Sequence, residues 1–234
     1  MTTPTTTPIR IISSMATKPL LADLARLFEA QAPEFSVQIE SVGGVDAAKR
    51  VQAGEAFDCV VLASNAIDTL LQDGKLVAGS RTDLVHSGVA VAVPAGAPCP
   101  DIASEDALKQ AVLQANSLGY STGPSGVQLA KLFERWGITE QIKAKLVQAP
   151  PGVPVGALIA QGQVALGFQQ LSEMRGVAGI TVLGPLPGAV QITTTFTGGI
   201  SANSTQPQAV QALLAFWACS ATAAIKLQHG MQAA

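Results

Sequence analysis

Strand-like and helix-like segments alternate along this chain, and that alternation limits its possible folds more than any other feature. Apolar residues three and four positions apart indicate helices, whereas short β-branched runs or strictly alternating segments indicate strands. The first third of the chain contains three strand–helix pairs, at residues 9–12 and 20–33, 36–42 and 43–56, and 57–64 and 65–76. This order favours parallel strands joined by helical crossovers, so we predict an α/β fold.

A second group of segments repeats this order after residue 86. Strands are predicted within residues 86–98, 118–126, 164–170, 180–187 and 189–201, and helices within residues 104–115, 127–138 and 154–163. A last helix is predicted at 206–220, with Pro207 in its first turn, where proline is favoured. The sequence therefore divides into two β/α units, and its C-terminal part follows the second of them.

Charge and hydropathy exclude two classes of partner. The 234 residues include 16 acidic and 14 basic residues, with a net charge of −2 and no cluster of Lys and Arg. We therefore expect no nucleic-acid partner, because binding to phosphates needs a basic face. The most apolar segment, 209–225, contains polar residues and is shorter than the roughly 20 residues that cross a bilayer. We expect no membrane insertion.

The residues that commonly bind metals are scattered along the sequence. Cys59, Cys99 and Cys219 form no Cys-x-x-Cys motif, and His86 and His229 lie far apart. Neither pattern is typical of a zinc or redox site. We therefore interpret the thiols as space-filling side chains and expect neither a metal nor a cofactor.

The N-terminal residues bear on the location of the protein. Residues 1–8 are rich in Thr and Pro and are predicted to form a disordered tail. They lack the basic and apolar regions of a signal peptide, so the sequence as written predicts a cytoplasmic location. A signal peptide replaced by Met1 would leave the same sequence, and the location would then be periplasmic.

Two loops rich in small and hydroxyl residues follow predicted strands and precede predicted helices. The loops are SSMATKP at 13–19 and STGPSG at 121–126. The N-terminus of a helix attracts anions through its free N–H groups, and hydroxyl groups add donors. The alternative is that these side chains only cap the helices. Likewise, Lys18 either pairs with a ligand carboxylate or lies on a solvated turn. The hydroxyl residues concerned are Ser13, Ser14, Thr17, Ser121, Thr122 and Ser125.

Four longer segments follow one another in a characteristic order. They are IRIISSMATKPLLADLARLFEA, VGGVDAAKRVQAGEAFDCVVLAS, LGYSTGPSGVQLAKLFERWGI and PVGALIAQGQVALGFQQLSE. In this order they resemble the type II periplasmic solute-binding proteins, most of all the molybdate-binding proteins of ABC transporters. The resemblance covers the chain from Ile9 to about Met231.

The resemblance implies two lobes, each a mostly parallel sheet flanked by helices, with a ligand cleft between them that closes around the ligand. Lobe one would comprise residues 9–85 and 196–234, and lobe two would comprise residues 86–195. The strands VAVAV (89–93) and QITTTF (191–196) would form the hinge.

The resemblance also implies where a ligand binds. The family holds molybdate through backbone amides, hydroxyl groups of the first two loops and a tyrosine on a later strand. Here Gly43 and Gly44 lie at the second of these positions and lack the hydroxyl group, and Gln169 or Gln170 lies at the tyrosine position. We therefore expect a small organic carboxylate in place of molybdate. The predicted ligand-binding residues are Ser13, Ser14, Met15, Thr17, Gly43, Gly44, Thr122, Ser125, Gly126, Val155 and Gln169.

Three functions remain open at this point. The first is a binding protein for a small anion, without catalytic residues, which would serve a membrane transporter if the protein is exported. The second is a cytoplasmic enzyme on the same fold, such as an isomerase or tautomerase of a small organic acid. The third is an effector-sensing domain like those of LysR-type regulators. Because a fold does not determine a function, the decision depends on the site.

Overall fold

A computed structural model describes residues 6–234. Its strands are β1 (Thr7–Ser14), β2 (Phe35–Val42), β3 (Cys59–Ala63), β4 (Thr82–Pro94), β5 (Leu118–Tyr120), β6 (Leu146–Gln148), β7 (Leu166–Gln170), β8 (Ile180–Pro185), β9 (Thr193–Ile200) and β10 (Met231–Ala233). Its α-helices are α1 (Lys18–Gln31), α2 (Gly44–Gln52), α3 (Ser64–Gln72), α4 (Glu105–Gln114), α5 (Pro124–Arg135), α6 (Thr139–Ile142), α7 (Val155–Ala160), α8 (Leu171–Met174), α9 (Pro207–Ala218) and α10 (Ala223–Gln228). The α/β class predicted from the alternation is confirmed.

The chain forms two compact units. Unit 1 contains the residues up to His86 together with Thr195–Ala234, and unit 2 contains Ser87–Thr194. Two long strands, β4 and β9, belong partly to each unit. The predicted lobe boundaries stay a prediction, because compactness alone does not show which segments move together.

The sheet of unit 1 is mostly parallel. β1 pairs in parallel with β2 and β3, and β3 pairs antiparallel with β9. Ser13 on β1 is the register partner of Ser41 on β2 and of Val61 on β3, so the three strands end at the same edge. At that edge a 3-10 turn (Met15–Thr17) leads into α1, and α2 and α3 begin. The loops that follow these strands are therefore neighbours.

Apolar side chains on both faces of this sheet form the core of unit 1. Successive strand residues point to opposite faces, so continuous apolar strands need cover on both sides. Residues of β1, β3, α1 and α9 form one layer, represented by Ile11, Val61, Leu24 and Trp217. On the opposite face, residues of β1, β3, α2 and α3 form the other layer, represented by Ile12, Leu62, Val51 and Ile67.

Unit 2 combines parallel and antiparallel pairs. β5 pairs in parallel with β6 and β7, whereas β4 pairs antiparallel with β7 and β8. Tyr120 is the register partner of Phe168, so β5 and β7 also end at the same edge. Helices α4 and α5 cover one face of the unit 2 sheet, and α7 and α8 cover the other. Along the hydrogen-bonded neighbours the strand order is β2-β1-β3-β9-β4-β7-β5-β6, and β8 and β10 both pair with β4.

Three parts of the sequence prediction need correction. Residues 1–5 of the predicted tail lie outside the described residues, whereas Thr7 and Pro8 belong to β1, where they pair with Phe35 and Ser36. The strand predicted at 189–201 begins only at Thr193, because residues 188–190 form a 3-10 turn. The short elements β6 and α8 were not predicted, since three or four residues carry too little periodicity.

The described part of the chain contains no single helix that is long and apolar enough to cross a membrane. The bent pair Pro207–Ala218 and Ser220–Gln228, with 58° between its helices, meets that criterion by length and composition alone. The apolar side chains Val210, Leu213, Leu214 and Trp217 of this pair are buried in the core of unit 1.

Candidate functional site

The first two predicted loops lie side by side at the edge of unit 1 where β1 and β2 end. The hydroxyl groups of Ser13 and Ser41 are 2.8 Å apart and form a hydrogen bond. Gly43 precedes α2, and Gly44 is its first residue. A Cβ atom placed on Gly44 would lie 3.7 Å from the Cβ atom of Ser14. The structure therefore brings the predicted residues of both loops together within this unit.

The Ser14 hydroxyl group is the one polar side chain of these two loops that is buried without a partner. Ser14 is 7% exposed, and its Oγ atom has no hydrogen-bond partner. The residue precedes the 3-10 turn but does not cap it, which argues against the capping interpretation. Most buried hydroxyl groups are hydrogen-bonded, so an unpaired one at a strand end is a group that a bound anion can use.

The other predicted residues of the first loop have different roles. The Thr17 hydroxyl group donates to the Ser14 carbonyl group at 3.0 Å, so its proton stabilises the turn. Met15 is half-buried, with its backbone at the start of that turn. Lys18 is exposed, which favours the interpretation of a solvated turn.

The first turn of α2 adds backbone donors beside Ser14. The first hydrogen bond into the helix runs from the Ala47 N–H group to the Gly43 carbonyl group at 2.9 Å. The N–H groups of residues 44–46 therefore have no partner within the helix. Asp46 places a carboxylate in this turn, which offsets part of its attraction for an anion. Ser64 begins α3 at the end of β3 and was not among the predicted site residues.

In unit 2 the loop 121–126 folds tightly onto the start of α5. A Cβ atom on Gly126 would lie 1.8 Å from the carbonyl oxygen of Ser121, so only glycine fits there. The Oγ atoms of Ser121 and Ser125 are 3.4 Å apart, and Ser125 is buried. Thr122 is exposed. Ser125 lies inside the first turn of α5, and Gly123, which precedes the helix, has no side chain that could cap it.

Val155 and Gln169 are close to each other in unit 2. The Gly156 N–H group donates to the Oε1 atom of Gln169 at 3.4 Å. The Val155 side chain is fully buried and packs in an apolar cluster with Ile159 and Val164. Val155 can therefore offer a ligand only its backbone.

Of three polar residues after Gln169, the sequence analysis named Gln170, as the alternative to Gln169 at the tyrosine position, and missed Ser172 and Glu173. Gln170 is buried, with its Nε2 atom donating to Thr194 Oγ1 at 2.8 Å, and its Oε1 atom has no partner. Ser172 is 8% exposed, and its Oγ atom has no partner either. Glu173 is half-buried, and burial raises the pKa of its carboxyl group to about 7, although a hydrogen bond with Gln169 acts in the opposite direction. The available signal was the largely polar run QQLSE, which begins at the end of an apolar strand.

Cations contribute little to these segments. The segments 13–17, 41–46, 121–126, 153–156 and 169–173 contain no Lys or Arg. Their chemistry is that of N–H groups, hydroxyl groups and amides, with two carboxyl groups. In each unit such groups can bind a small anion of low charge, and in unit 2 Glu173 can exchange a proton near neutral pH.

Two titratable residues considered elsewhere in the chain have structural roles. Asp58 accepts hydrogen bonds from the Arg10 N–H group at 2.9 Å and from the Ser204 hydroxyl group at 2.8 Å, which ties distant segments of unit 1 together. His86 Nδ1 is 2.9 Å from Thr195 Oγ1, where β4 and β9 run side by side. Among residues 6–234, no three His, Cys, Asp or Glu side chains are grouped so that they could hold a metal ion.

Comparison with known sequences gives two matches. A profile described as bacterial extracellular solute-binding protein matches residues 9–232. An aconitate isomerase from Pseudomonas sp. is 41% identical over 170 residues, which are 72% of this chain and 64% of that protein. The match therefore spans less than two thirds of the relative's length.

Comparison with solved structures gives matches over nearly the whole chain. The periplasmic molybdate-binding protein of Azotobacter vinelandii has a TM-score of 0.79 and 17% identity, with 96% of this chain and 98% of that chain covered. A sulfate-binding protein from Mycobacterium tuberculosis has a TM-score of 0.78 and 17% identity, with 96% and 86% covered. A tungstate ABC transporter protein from Geobacter sulfurreducens has a TM-score of 0.74 and 16% identity, with 94% and 98% covered. At these identities the likeness concerns the fold alone.

Proposed function

Because this chain belongs to the bacterial extracellular solute-binding proteins, with the type II fold of that group, we propose that it binds a small organic polycarboxylate. In this proposal the ligand binds at the loops after β1 and β2 in unit 1, and the segments around Ser125, Val155 and Gln169 in unit 2 are further predicted ligand-binding segments. The observation that carries the proposal is the buried, unpaired Ser14 hydroxyl group beside the free N–H groups of α2.

Two features favour a carboxylate over a tetrahedral oxyanion. Gly44 supplies backbone but no hydroxyl group, and the resemblance implies that an amide, that of Gln169 or of Gln170, stands where the molybdate-binding proteins have a tyrosine. Fewer hydroxyl donors suit a planar carboxylate, which two or three well-placed N–H and O–H groups can satisfy. The relative at 41% identity is named for aconitate, a tricarboxylic acid.

A thermal-shift and calorimetry panel tests the binding proposal. We expect trans-aconitate, cis-aconitate or citrate to raise the melting temperature, and molybdate, tungstate and sulfate to leave it unchanged. A ligand at 100 times its Kd stabilises the folded state by about 2.7 kcal/mol. That corresponds to a rise in melting temperature of roughly 5–10 °C at this chain length. A response to molybdate or tungstate with none to any carboxylate would refute the proposal.

The variant Ser14→Ala tests the residue that carries the argument. We expect it to weaken carboxylate binding about tenfold or more, because a hydrogen bond to a charged group contributes about 1.5–3 kcal/mol. The melting temperature without ligand should not fall, since the hydroxyl group has no partner in the protein. The matched control is Ser220→Ala, which removes an exposed hydroxyl group from the same unit.

A second function, isomerisation of an unsaturated polycarboxylic acid, is favoured by the relative named aconitate isomerase. The test is incubation of the protein with trans-aconitate and detection of cis-aconitate by proton NMR.

For the location, we propose the periplasm, with a membrane transporter as partner if the ligand is delivered unchanged. Fractionation of cells that express the native gene tests this part.

A further inference from the structure

Polar groups at the end of β7 and the start of α8 are left without partners by the packing of the protein. Two of them, Gln170 Oε1 and Ser172 Oγ, are buried and have no hydrogen-bond partner. Glu173 follows Ser172 on the short helix α8, which starts directly after the strand. Unpaired buried polar groups cost stability, so such groups are expected where a ligand supplies the missing partners.

The amide of Gln169 orients the carboxyl group of Glu173. Its Oε1 atom accepts from the Gly156 N–H group, which leaves the Nε2 atom to donate to Glu173. The Gln169 amide thus stabilises the ionised carboxylate, while burial favours the protonated form. A carboxyl group balanced in this way can both accept and return a proton near neutral pH.

The surroundings of Glu173 contain little other charge. Helix α8 packs against β7, α7 and β8. The sequences of these three elements, LGFQQ, VGALIA and ITVLGP, contain no titratable residue. Arg175 follows α8 and takes part in an interaction of its own. Since Glu173 is half-buried, it remains within reach of a small molecule at the edge where β5 and β7 end.

We propose that Glu173 transfers the proton when this protein isomerises an unsaturated polycarboxylic acid, with Ser172 binding a carboxylate of the substrate. This inference rests on the second proposed function. The Glu173 carboxylate takes a proton from the CH2 group next to the double bond. The C–H bond breaks, and its electron pair spreads into the adjacent double bond and carboxylate.

The protonated Glu173 then gives a proton to the far carbon of the double bond, and in a fraction of turnovers its carboxyl proton exchanges with solvent before this transfer. A new C–H bond forms there, the double bond moves by one position, and Glu173 is again a carboxylate. Atoms and electrons balance without an oxidant, a reductant or water. The new double bond can form in either the cis or the trans geometry, so the two isomers interconvert by this route.

The test uses the full chain with trans-aconitate in D2O. The wild-type protein should catalyse deuterium incorporation at the CH2 position together with formation of cis-aconitate, both followed by NMR. Glu173→Gln should lower both rates about 10²–10⁴-fold, the usual contribution of a general acid–base group. It should still bind trans-aconitate in calorimetry. The matched control is Glu140→Gln, whose side chain is 83% exposed in the same unit, and it should not change either rate.

A second variant tests the positioning role of Gln169. Removal of the Gln169 amide takes away a hydrogen bond that lowers the pKa of Glu173. The rate should rise with pH as Glu173 ionises, and Gln169→Leu should move this acid limb from near pH 7 to higher pH. A residue with a merely structural role would lower the rate without moving the limb.

The outcomes separate this inference from the binding proposal. If the wild-type protein binds trans-aconitate but catalyses neither exchange nor isomerisation, the inference is wrong and the binding proposal stands. An exchange rate in Glu173→Gln equal to that of the wild type also overturns it. Loss of binding together with exchange in Glu173→Gln would assign Glu173 to binding and overturn its catalytic role. If no carboxylate binds the wild-type protein, both proposals fail.

Discussion

At the scale of single residues, the hydroxyl groups of the first loop differ in what they can offer a ligand. Ser13 is paired with Ser41, and the proton of Thr17 is held by the Ser14 carbonyl group. Ser14 alone among them has a buried Oγ atom without a partner. Three hydroxyl residues that look equivalent in the sequence therefore differ: two of them are paired within the protein, and the third is left for a ligand.

The absence of a side chain at Gly44 is a testable determinant of ligand choice. In Gly44→Ser the new Cβ atom would meet only Ser14 Cβ at 3.7 Å, an ordinary contact, so the fold should tolerate it. The added hydroxyl group should raise affinity for molybdate relative to trans-aconitate about tenfold, the effect of one additional hydrogen bond to an anion.

Competition calorimetry on the two ligands measures this ratio. Gly188→Ser is the control, because a Cβ atom there meets nothing within 4 Å. An unchanged ratio in Gly44→Ser would show that the second loop does not determine the choice between oxyanion and carboxylate.

At the scale of elements, the loop 121–123 depends on a backbone contact with the first turn of α5, the helix that follows it. The Ser121 carbonyl group lies against Gly126 in the first turn of α5, and the Oγ atoms of Ser121 and Ser125 are close to each other. The helix was predicted from its apolar spacing. The contact between this helix and the preceding loop was not predicted, because it depends on the path of the chain between them.

Gly126→Ala should therefore disturb both the loop and the start of α5. The new Cβ atom would overlap the Ser121 carbonyl oxygen, so the backbone must shift. We expect a loss of about 2–3 kcal/mol, typical of overpacking. The melting temperature should fall by roughly 5–10 °C.

Gly123→Ala is the matched substitution in the same loop, because its Cβ atom would come no closer than 3.8 Å to the Ser121 Oγ atom. Its melting temperature should stay close to that of the wild type in thermal unfolding. Equal losses in both variants would argue against the backbone contact as the cause.

At the scale of the whole molecule, the chain returns to unit 1 after unit 2. There the end of its last helix, α10, forms a side-chain contact with the first helix, α1. His229, which follows α10, contacts the Asp23 carboxylate on α1 at 2.8 Å. The sequence analysis gave His229 no partner. The Asp23 contact joins residues 206 positions apart, and no local pattern could predict it.

This contact predicts an acid-dependent part of the stability. The hydrogen bond from His229, followed by that from Arg26, lowers the pKa of Asp23 from its ordinary value of 3.8. A carboxyl group with a lowered pKa in the folded state stabilises the protein above its ordinary pKa. That contribution is lost as pH falls through the folded-state pKa.

His229→Ala should thus lower the free energy of unfolding at pH 5, by no more than about 1 kcal/mol for such a partly exposed pair. The difference from the wild type should shrink as the pH falls below about 4. Urea unfolding at pH 5 and pH 3 measures both values. A difference that is larger at pH 3 than at pH 5 would contradict the assignment.

The sequence by itself determined the α/β class, the type II solute-binding resemblance and the position of the loops at strand ends. The class and the loop positions follow from local periodicity and from the rule that parallel strands need crossovers, whereas the resemblance rests on the four motifs and their order. The α/β class and the resemblance are confirmed, whereas the ligand-binding residues stay a prediction.

Only the tertiary structure decided which polar groups are already paired. The pairing of Ser13 with Ser41 depends on strand register across 28 positions, and the burial of Glu173 depends on β7, α7 and β8 packing around a four-residue helix. Hydrogen bonding and desolvation are properties of neighbours in space. A sequence shows which groups could act, and the fold decides which of them are left free to do so.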